Sequence, residues 1–248
     1  MSSYNAFAKY YDTLTQNVDY PARADYFYKL IQQFGNGGKL LLDLACGTGS
    51  LSREFAKHGY DVIGIDSSYE MLGCAMENTS PEWGIQYIRQ TMQGLDLYGT
   101  IDACVCALDS INHITAKNVL QKGFSRVSLF LDPEGVFIFD VNTLYKQQHI
   151  LANNTFVYDY DSIYCVWQNT FLPESATTRI ELDFFEYDTK SGAYYRQEEA
   201  FEERAYSHEE LAEMLDNAGL RIVACFEGDT MNPVKEDTQR VVYVTKKK

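Results

Sequence analysis

The feature that most constrains this chain is an alternation of short, almost unbroken apolar runs with stretches of helical spacing. The runs are Leu40 to Leu44, Val62 to Ile65, Ile85 to Ile88, Ala103 to Leu108 and Val136 to Val141. Between them, Leu51 to His58, Tyr69 to Asn78 and Lys117 to Leu131 carry apolar residues three and four apart. A strand that is apolar on both faces must be covered on both, and a parallel neighbour is reached only through a crossover, usually a helix. Two later runs, Arg221 to Phe226 and Arg240 to Thr245, bring the strand count to seven. The pattern predicts an α/β fold, a doubly wound and mostly parallel sheet with helices on both faces.

After Asn142 the texture changes. From Thr155 to Tyr206 the chain is rich in Tyr, Phe, Trp and Thr with period-two alternation, and a turn at Asp188 to Gly192 joins two such runs. That predicts an inserted antiparallel β subdomain. Ser207 then caps a helix with Glu209 and Glu210 in its first turn, and Gly219 ends it. The expected division is 1–152 for the first part of the core, 153–206 for the insert and 207–248 for the return to the core. A chain of 248 residues suits such an arrangement and leaves little room for two full domains.

The charge balance excludes one class of partner. With 21 basic and 35 acidic residues the net charge is −14, and such a field repels a nucleic-acid backbone. No apolar run reaches the roughly 18 residues of a membrane span. The opening MSSYNAFAKYYD lacks the basic-then-apolar pattern of a signal peptide, so the expected location is the cytoplasm, without membrane association. The six cysteines form no CxxC pair and have no histidine at ligand spacing, so free thiols are expected and no metal. Cys104 and Cys106 should share one strand face.

The chemistry is concentrated at the first apolar run, where Asp43-Leu44-Ala45-Cys46-Gly47-Thr48-Gly49 carries a buried strand into a glycine turn and then a helix. Glycines there let a ligand approach the backbone. Asp66 closes the next strand, where its carboxylate can accept both hydroxyls of a ribose. A dinucleotide-binding turn would want a third glycine three residues after Gly49, and position 52 is serine.

These residues resemble the class I S-adenosylmethionine (SAM)-dependent methyltransferases, over roughly Lys39 to Asn142 and Ser207 to Thr245. The resemblance implies that SAM is the cofactor and S-adenosylhomocysteine the product, with the last strand antiparallel. It implies that Gly47 and Gly49 bound the loop at the methionine portion, with Ala45 between strand and turn and Asp43 behind. Asp66 would hold the ribose, and Ser67 and Met71 would flank the adenine. Gln90, Thr91 and Met92 would lie near that base, although the family often has an acid where this chain has Thr91. The N-terminal stretch Tyr4 to Asp12 resembles small-molecule members, in which Tyr11 would reach the cofactor's carboxylate; its aromatics are equally suited to core packing.

The fourth strand ends in Leu108-Asp109-Ser110-Ile111-Asn112-His113, at the sheet edge where open α/β folds bind ligands. Asp109 is the candidate to orient the sulfonium's amino group or the acceptor, and His113 the candidate proton acceptor; the competing reading of His113 is a satisfied loop residue. The expected partner is a small-molecule acceptor, an amine ahead of a phosphorylated compound, received under the aromatic insert, which is equally suited to forming a homodimer. Two other readings stand beside methyl transfer: a nicotinamide-dependent oxidoreductase, which Ser52 disfavours, and a catalytically silent SAM-binding module.

Overall fold

A computed structural model describes residues 5–161 and 163–248, with residues 5–7 described by backbone alone. Tyr4 of the N-terminal stretch lies outside the described residues.

Seven strands build the main sheet: β1 (Leu40–Leu44), β2 (Asp61–Asp66), β3 (Gln86–Arg89), β4 (Ile101–Cys106), β5 (Leu131–Asn142), β10 (Leu220–Glu227) and β11 (Arg240–Lys247). Their order is β10-β11-β5-β4-β1-β2-β3. The first five run parallel, and β11 lies antiparallel between β5 and β10. From β1 the chain winds outward to β2 and β3, then returns to β4 on the other side of β1. The order therefore reverses between β1 and β4, and a crevice opens at the carboxyl ends of these strands.

Alternation along the strands fixes the two faces. Phe137 and Phe139 of β5 join Cys104 and Cys106 of β4 on one side. There they meet Leu120, Phe124 and Val127 of α5 (Lys117–Phe130) and Leu211 and Leu215 of α6 (His208–Asn217). Val136 and Ile138 face the other way, with Leu41 and Val105, onto Phe27 and Leu30 of α2 (Tyr20–Phe34) and Phe55 of α3 (Ser50–Lys57). Both expected cysteines thus share one face. Ser207 caps α6 through a full capping box, its hydroxyl accepting from the Glu210 amide while the Glu210 carboxylate accepts from Ser207 N–H.

The segment after Asn142 first makes a single π-helical turn, Lys146–Leu151. It then forms a four-stranded antiparallel sheet of β6 (Thr155–Tyr160), β7 (Ile163–Leu172), β8 (Thr177–Asp188) and β9 (Ala193–Arg204). The β8–β9 hairpin turns at Asp188 to Gly192, where Gly192 takes φ 69°. One face of this sheet, with Ile163, Cys165, Ile180, Leu182 and Phe184, packs on Ala8, Tyr10 and Leu14 of α1 (Asn5–Leu14) and on Met71 of α4 (Tyr69–Glu77). Helix α1 is thereby held between the second sheet and α4. Among the described residues no helix is long and apolar enough to cross a membrane.

Candidate active site

The turn after β1 bends through three left-handed residues, Ala45, Gly47 and Gly49, with φ of 61°, 55° and 75°. Its two glycines serve different needs. A Cβ placed on Gly47 would meet no protein atom within 4 Å, because that face of the backbone looks into a cavity. A Cβ on Gly49 would lie 2.3 Å from the Tyr87 hydroxyl, so Gly49 is required for packing at the start of α3. Ser52, fully buried on α3, donates its hydroxyl to the buried carboxylate of Asp43. Burial pushes Asp43 up to about 7 against that hydrogen bond. The serine thus occupies the place of a packing glycine and satisfies an acid that would otherwise be orphaned.

Asp66 locks the turn to the end of β2. Its Oδ2 accepts from Gly47 N–H at 2.9 Å and its Oδ1 from Ser68 N–H at 2.8 Å. Burial raises its pKa, and the bonds from Ser68 and Gly47 work against that. Each oxygen keeps lone-pair capacity for a further donor.

A cavity of about 490 Å³ opens beside this turn, within the range of small-molecule sites. Its walls include Tyr11, Ala45, Gly47, Asp66, Ser67, Met71, Gln90, Thr91, Met92, Leu108 and His113. Asp43 lines a small adjoining recess with Tyr11 and Leu108, while Gly49 and Asp109 line neither space. The Gln90 amide is already engaged, donating to Asp96 O at 3.0 Å and accepting from Asp96 N–H at 2.8 Å. Ser110, Ile114, Thr115, Ala116 and Val119 also line the cavity and carry no motif in the sequence. Over the turn, the Thr48 hydroxyl donates to Asp12 at 2.6 Å and so fastens α1.

Asp109 belongs to a buried ionic network behind the cavity. Its Oδ1 accepts from Arg240 at 2.9 Å and its Oδ2 from the Asn142 amide at 2.8 Å. Arg240 also donates to Asp140 at 2.7 Å, and Arg23 links Asp140 to Asp229. Burial pushes Asp109 upward, but Arg240, Lys146 and His113 outweigh it and hold the carboxyl below its ordinary value. Leu108 and Asp109 both sit at positive φ, 57° and 54°, and this network holds that strained turn.

Glu203, at the end of β9, had no signal in the sequence beyond membership of an acidic run. It is 3 % exposed, and its Oε1 lies 3.7 Å from His113 Nε2. Burial, with Asp109 adding, pushes Glu203 upward, while His113, Lys146 and Asn142 oppose. The ligand atoms of Asp109, His113 and Glu203 all fall within 4.8 Å of one another, a spacing compatible with a cation. Both Asp109 oxygens, however, already accept from Arg240 and Asn142, so the positive charge at this cluster comes from the protein.

A doubly wound sheet with a glycine turn open to a cavity and a buried acid beside it defines a nucleoside-binding α/β enzyme. Comparison with known proteins narrows the class. A family model described as a methyltransferase domain matches residues 41–135. A methyltransferase relative in Geobacillus sp. (strain WCH70) is 30% identical over 247 residues, covering 99% of this chain and 100% of the other. The crystal structure of a SAM-dependent methyltransferase from Clostridium acetobutylicum ATCC 824 superposes with a TM-score of 0.87 at 33% identity, covering 99% of each chain. A shorter match is the glycine/sarcosine N-methyltransferase of Halorhodospira halochloris, 32% identical over 133 residues, about half of either chain. The chain belongs to the class I SAM-dependent methyltransferases.

The cofactor fits the residues present. The open backbone face of Gly47 and the spare capacity of Asp66 offer what an aminoacyl nucleoside needs, and the cavity beside them is roomy enough for it.

Proposed function

We propose that this enzyme methylates a small-molecule amine, with His113 taking the proton the amine must lose. The observation that carries the reading is the set of titratable groups on the cavity wall: Tyr11, Asp66, Cys106 and His113. Burial raises the Tyr11 phenol and the Cys106 thiol well above their ordinary values, so both stay neutral. Asp66 is engaged with two backbone amides. His113, its side chain 29% exposed, is the remaining titratable group of the wall, and its imidazole can accept a proton from an acceptor. An ammonium acceptor has no free electron pair until it gives up a proton, so it is, like a phenol, a substrate class for which such a base matters.

When bound, SAM supplies a methyl group on a sulfonium sulfur and leaves as S-adenosylhomocysteine. The protein's part is to hold and to exclude. Asp66 would take the ribose hydroxyls, Gly47 would lie against the methionine portion, and Ser67, Met71 and the Gln90–Met92 segment would flank the adenine. Tyr11, fixed by α1, would close the cavity over the cofactor. The antiparallel sheet would cover the acceptor, and its acidic residues favour a cationic one. Orientation of this kind can supply roughly 7 to 11 kcal/mol of a displacement barrier. The Halorhodospira relative's name, an N-methyltransferase of glycine and sarcosine, supports an amine over an alcohol or acid.

The test is turnover of labelled SAM with panels of small amines, carboxylic acids and phenols, against an Asp66→Ala blank. Product with amines is expected. Product only with acids or phenols would overturn the acceptor class. Tight S-adenosylhomocysteine binding without product from any panel would make the chain a silent cofactor-binding module.

A further inference from the structure

Glu203 is buried, yet its Oε2 has no hydrogen-bond partner. It stands on the last strand of the antiparallel sheet, opposite Thr178 in register, and faces a histidine on a core loop. The junction around it is pinned from both sides. Asn112, next to His113, donates its amide to Arg204 O at 2.8 Å and to Asn142 O at 3.0 Å. Arg204 N–H donates back to Asn112 O at 2.8 Å. A carboxylate kept out of water, unsaturated and held within reach of an imidazole is costly unless it has a task.

We propose that Glu203 is a positioning residue for His113, so that the antiparallel sheet supplies half of the proton-accepting pair. This rests on the amine reading above. The anion lies on the Nε2 side of the ring, which electrostatically favours the proton on that nitrogen and Nδ1 as the nitrogen that takes up a second one. An acceptor ammonium gives its proton to that lone pair and keeps the electrons of the broken N–H bond on nitrogen; the imidazolium is paired with Glu203 until the proton passes to water. The separation of 3.7 Å is an ion-pair distance and longer than a hydrogen bond, so the contact tightens when the ring becomes charged. The other charged groups facing the pair are Asp66 at the end of β2, Asp109 on the same loop and Lys146 on the π-helical turn.

The experiment compares wild type, Glu203→Gln and Glu203→Asp in two measurements. With an amine acceptor, E203Q should lower kcat about tenfold or more while acceptor KM and the S-adenosylhomocysteine Kd stay within twofold. The acid limb of its kcat/KM profile should move to lower pH by about one unit or more, because an anion beside the imidazolium is gone. E203D keeps the charge and should keep the limb. Independently of any acceptor, NMR titration of ¹³C-labelled histidine should show the His113 resonance shifting to lower pH in E203Q, with His58, His149 and His208 unchanged. An unmoved His113 titration and acid limb in E203Q would overturn the proposal. If E203Q does not fold, Glu203→Met, which removes the charge without burying a new polar group, decides by the same two readouts, and an unmoved His113 titration in it would overturn the proposal. Failure of amines as substrates leaves the NMR coupling to be read on its own, which separates the two readings.

Discussion

Replacing Asp43 with asparagine tests the idea that the base of the glycine turn houses an acid that prefers to be neutral. Asp43 is 2 % exposed and shares its environment with Asp66, and burial takes its pKa from an ordinary 3.8 up to about 7. The native state therefore holds this proton more tightly than the unfolded chain between those two values. Stability is greatest below the lower one, falls as pH rises through the window and is flat above it. At about 1.36 kcal/mol per unit, the cost over the whole window is about 4 kcal/mol, of which about 2.5 kcal/mol falls between pH 5 and pH 8. Asparagine keeps the size and the acceptor for the Ser52 hydroxyl but has no charge to desolvate. Urea unfolding of the cofactor-free protein at pH 5 and pH 8, at one ionic strength, gives both differences. Wild type should lose about 2.5 kcal/mol more than Asp43→Asn across that interval. Parallel losses in the two proteins would refute a raised Asp43 and the desolvation argument behind it.

Three further substitutions address the other parts of the site. Asp66→Ala should weaken S-adenosylhomocysteine binding by roughly a hundredfold in calorimetry, since it removes a charged acceptor for ribose and the anchor of Gly47 N–H; an unchanged Kd would refute the ribose assignment. Arg240→Met leaves Asp140, which is fully buried, without one of its two arginines, and should cost about 3 to 5 kcal/mol. In thermal unfolding that is a fall of roughly 10 °C, and a fall of only a degree or two would show the network to be dispensable. Gly49→Ala and Gly47→Ala should separate packing from binding: the first should destabilise by about 1 to 3 kcal/mol because of the Tyr87 hydroxyl, whereas the second should mainly weaken cofactor affinity. The reverse ranking would contradict the two roles.

Much of the fold was legible because the main sheet obeys rules that act locally. The runs at Leu40, Val62 and Ala103 are apolar on both faces and could only be strands buried between helix layers, and Ser207 with Glu210 carries a complete cap within four residues. Helix α2 was not recognised, although Asp19 caps it and Pro21 stands in its first turn; its apolar residues lie among tyrosines that blur the stripe. The cavity wall was legible where the turn itself makes it, at Gly47 and Asp66. It was illegible from Ser110 to Val119, where the lining is set by how the loop after β4 sits over the cavity. The assignment of Asp109 as a group facing ligand met a tertiary fact of the same kind: Arg240 lies 131 residues away and captures its carboxylate. No local pattern announces a partner at that distance.

The same consideration explains why Glu203 was invisible and why its place matters. A sequence reader sees one acid in a run at the end of an exposed strand. The fold turns that acid inward by anchoring its neighbour Arg204 to Asn112, whose amide oxygen also accepts from Asn142 N–H at 2.9 Å. Asn112 thus joins the loop after β4, the end of β5 and the end of β9 with hydrogen bonds that a substitution to alanine would leave unpaired in a dry site. The glycine turn and Asp66 come from the ends of β1 and β2, and Tyr11 of α1 and Met71 of α4 complete that side of the cavity. The groups beside His113 come from both sheets, so chemistry that depends on them requires the antiparallel sheet to be in register. On the amine reading, variation in that sheet would change the surroundings of His113 while leaving Gly47 and Asp66 in place.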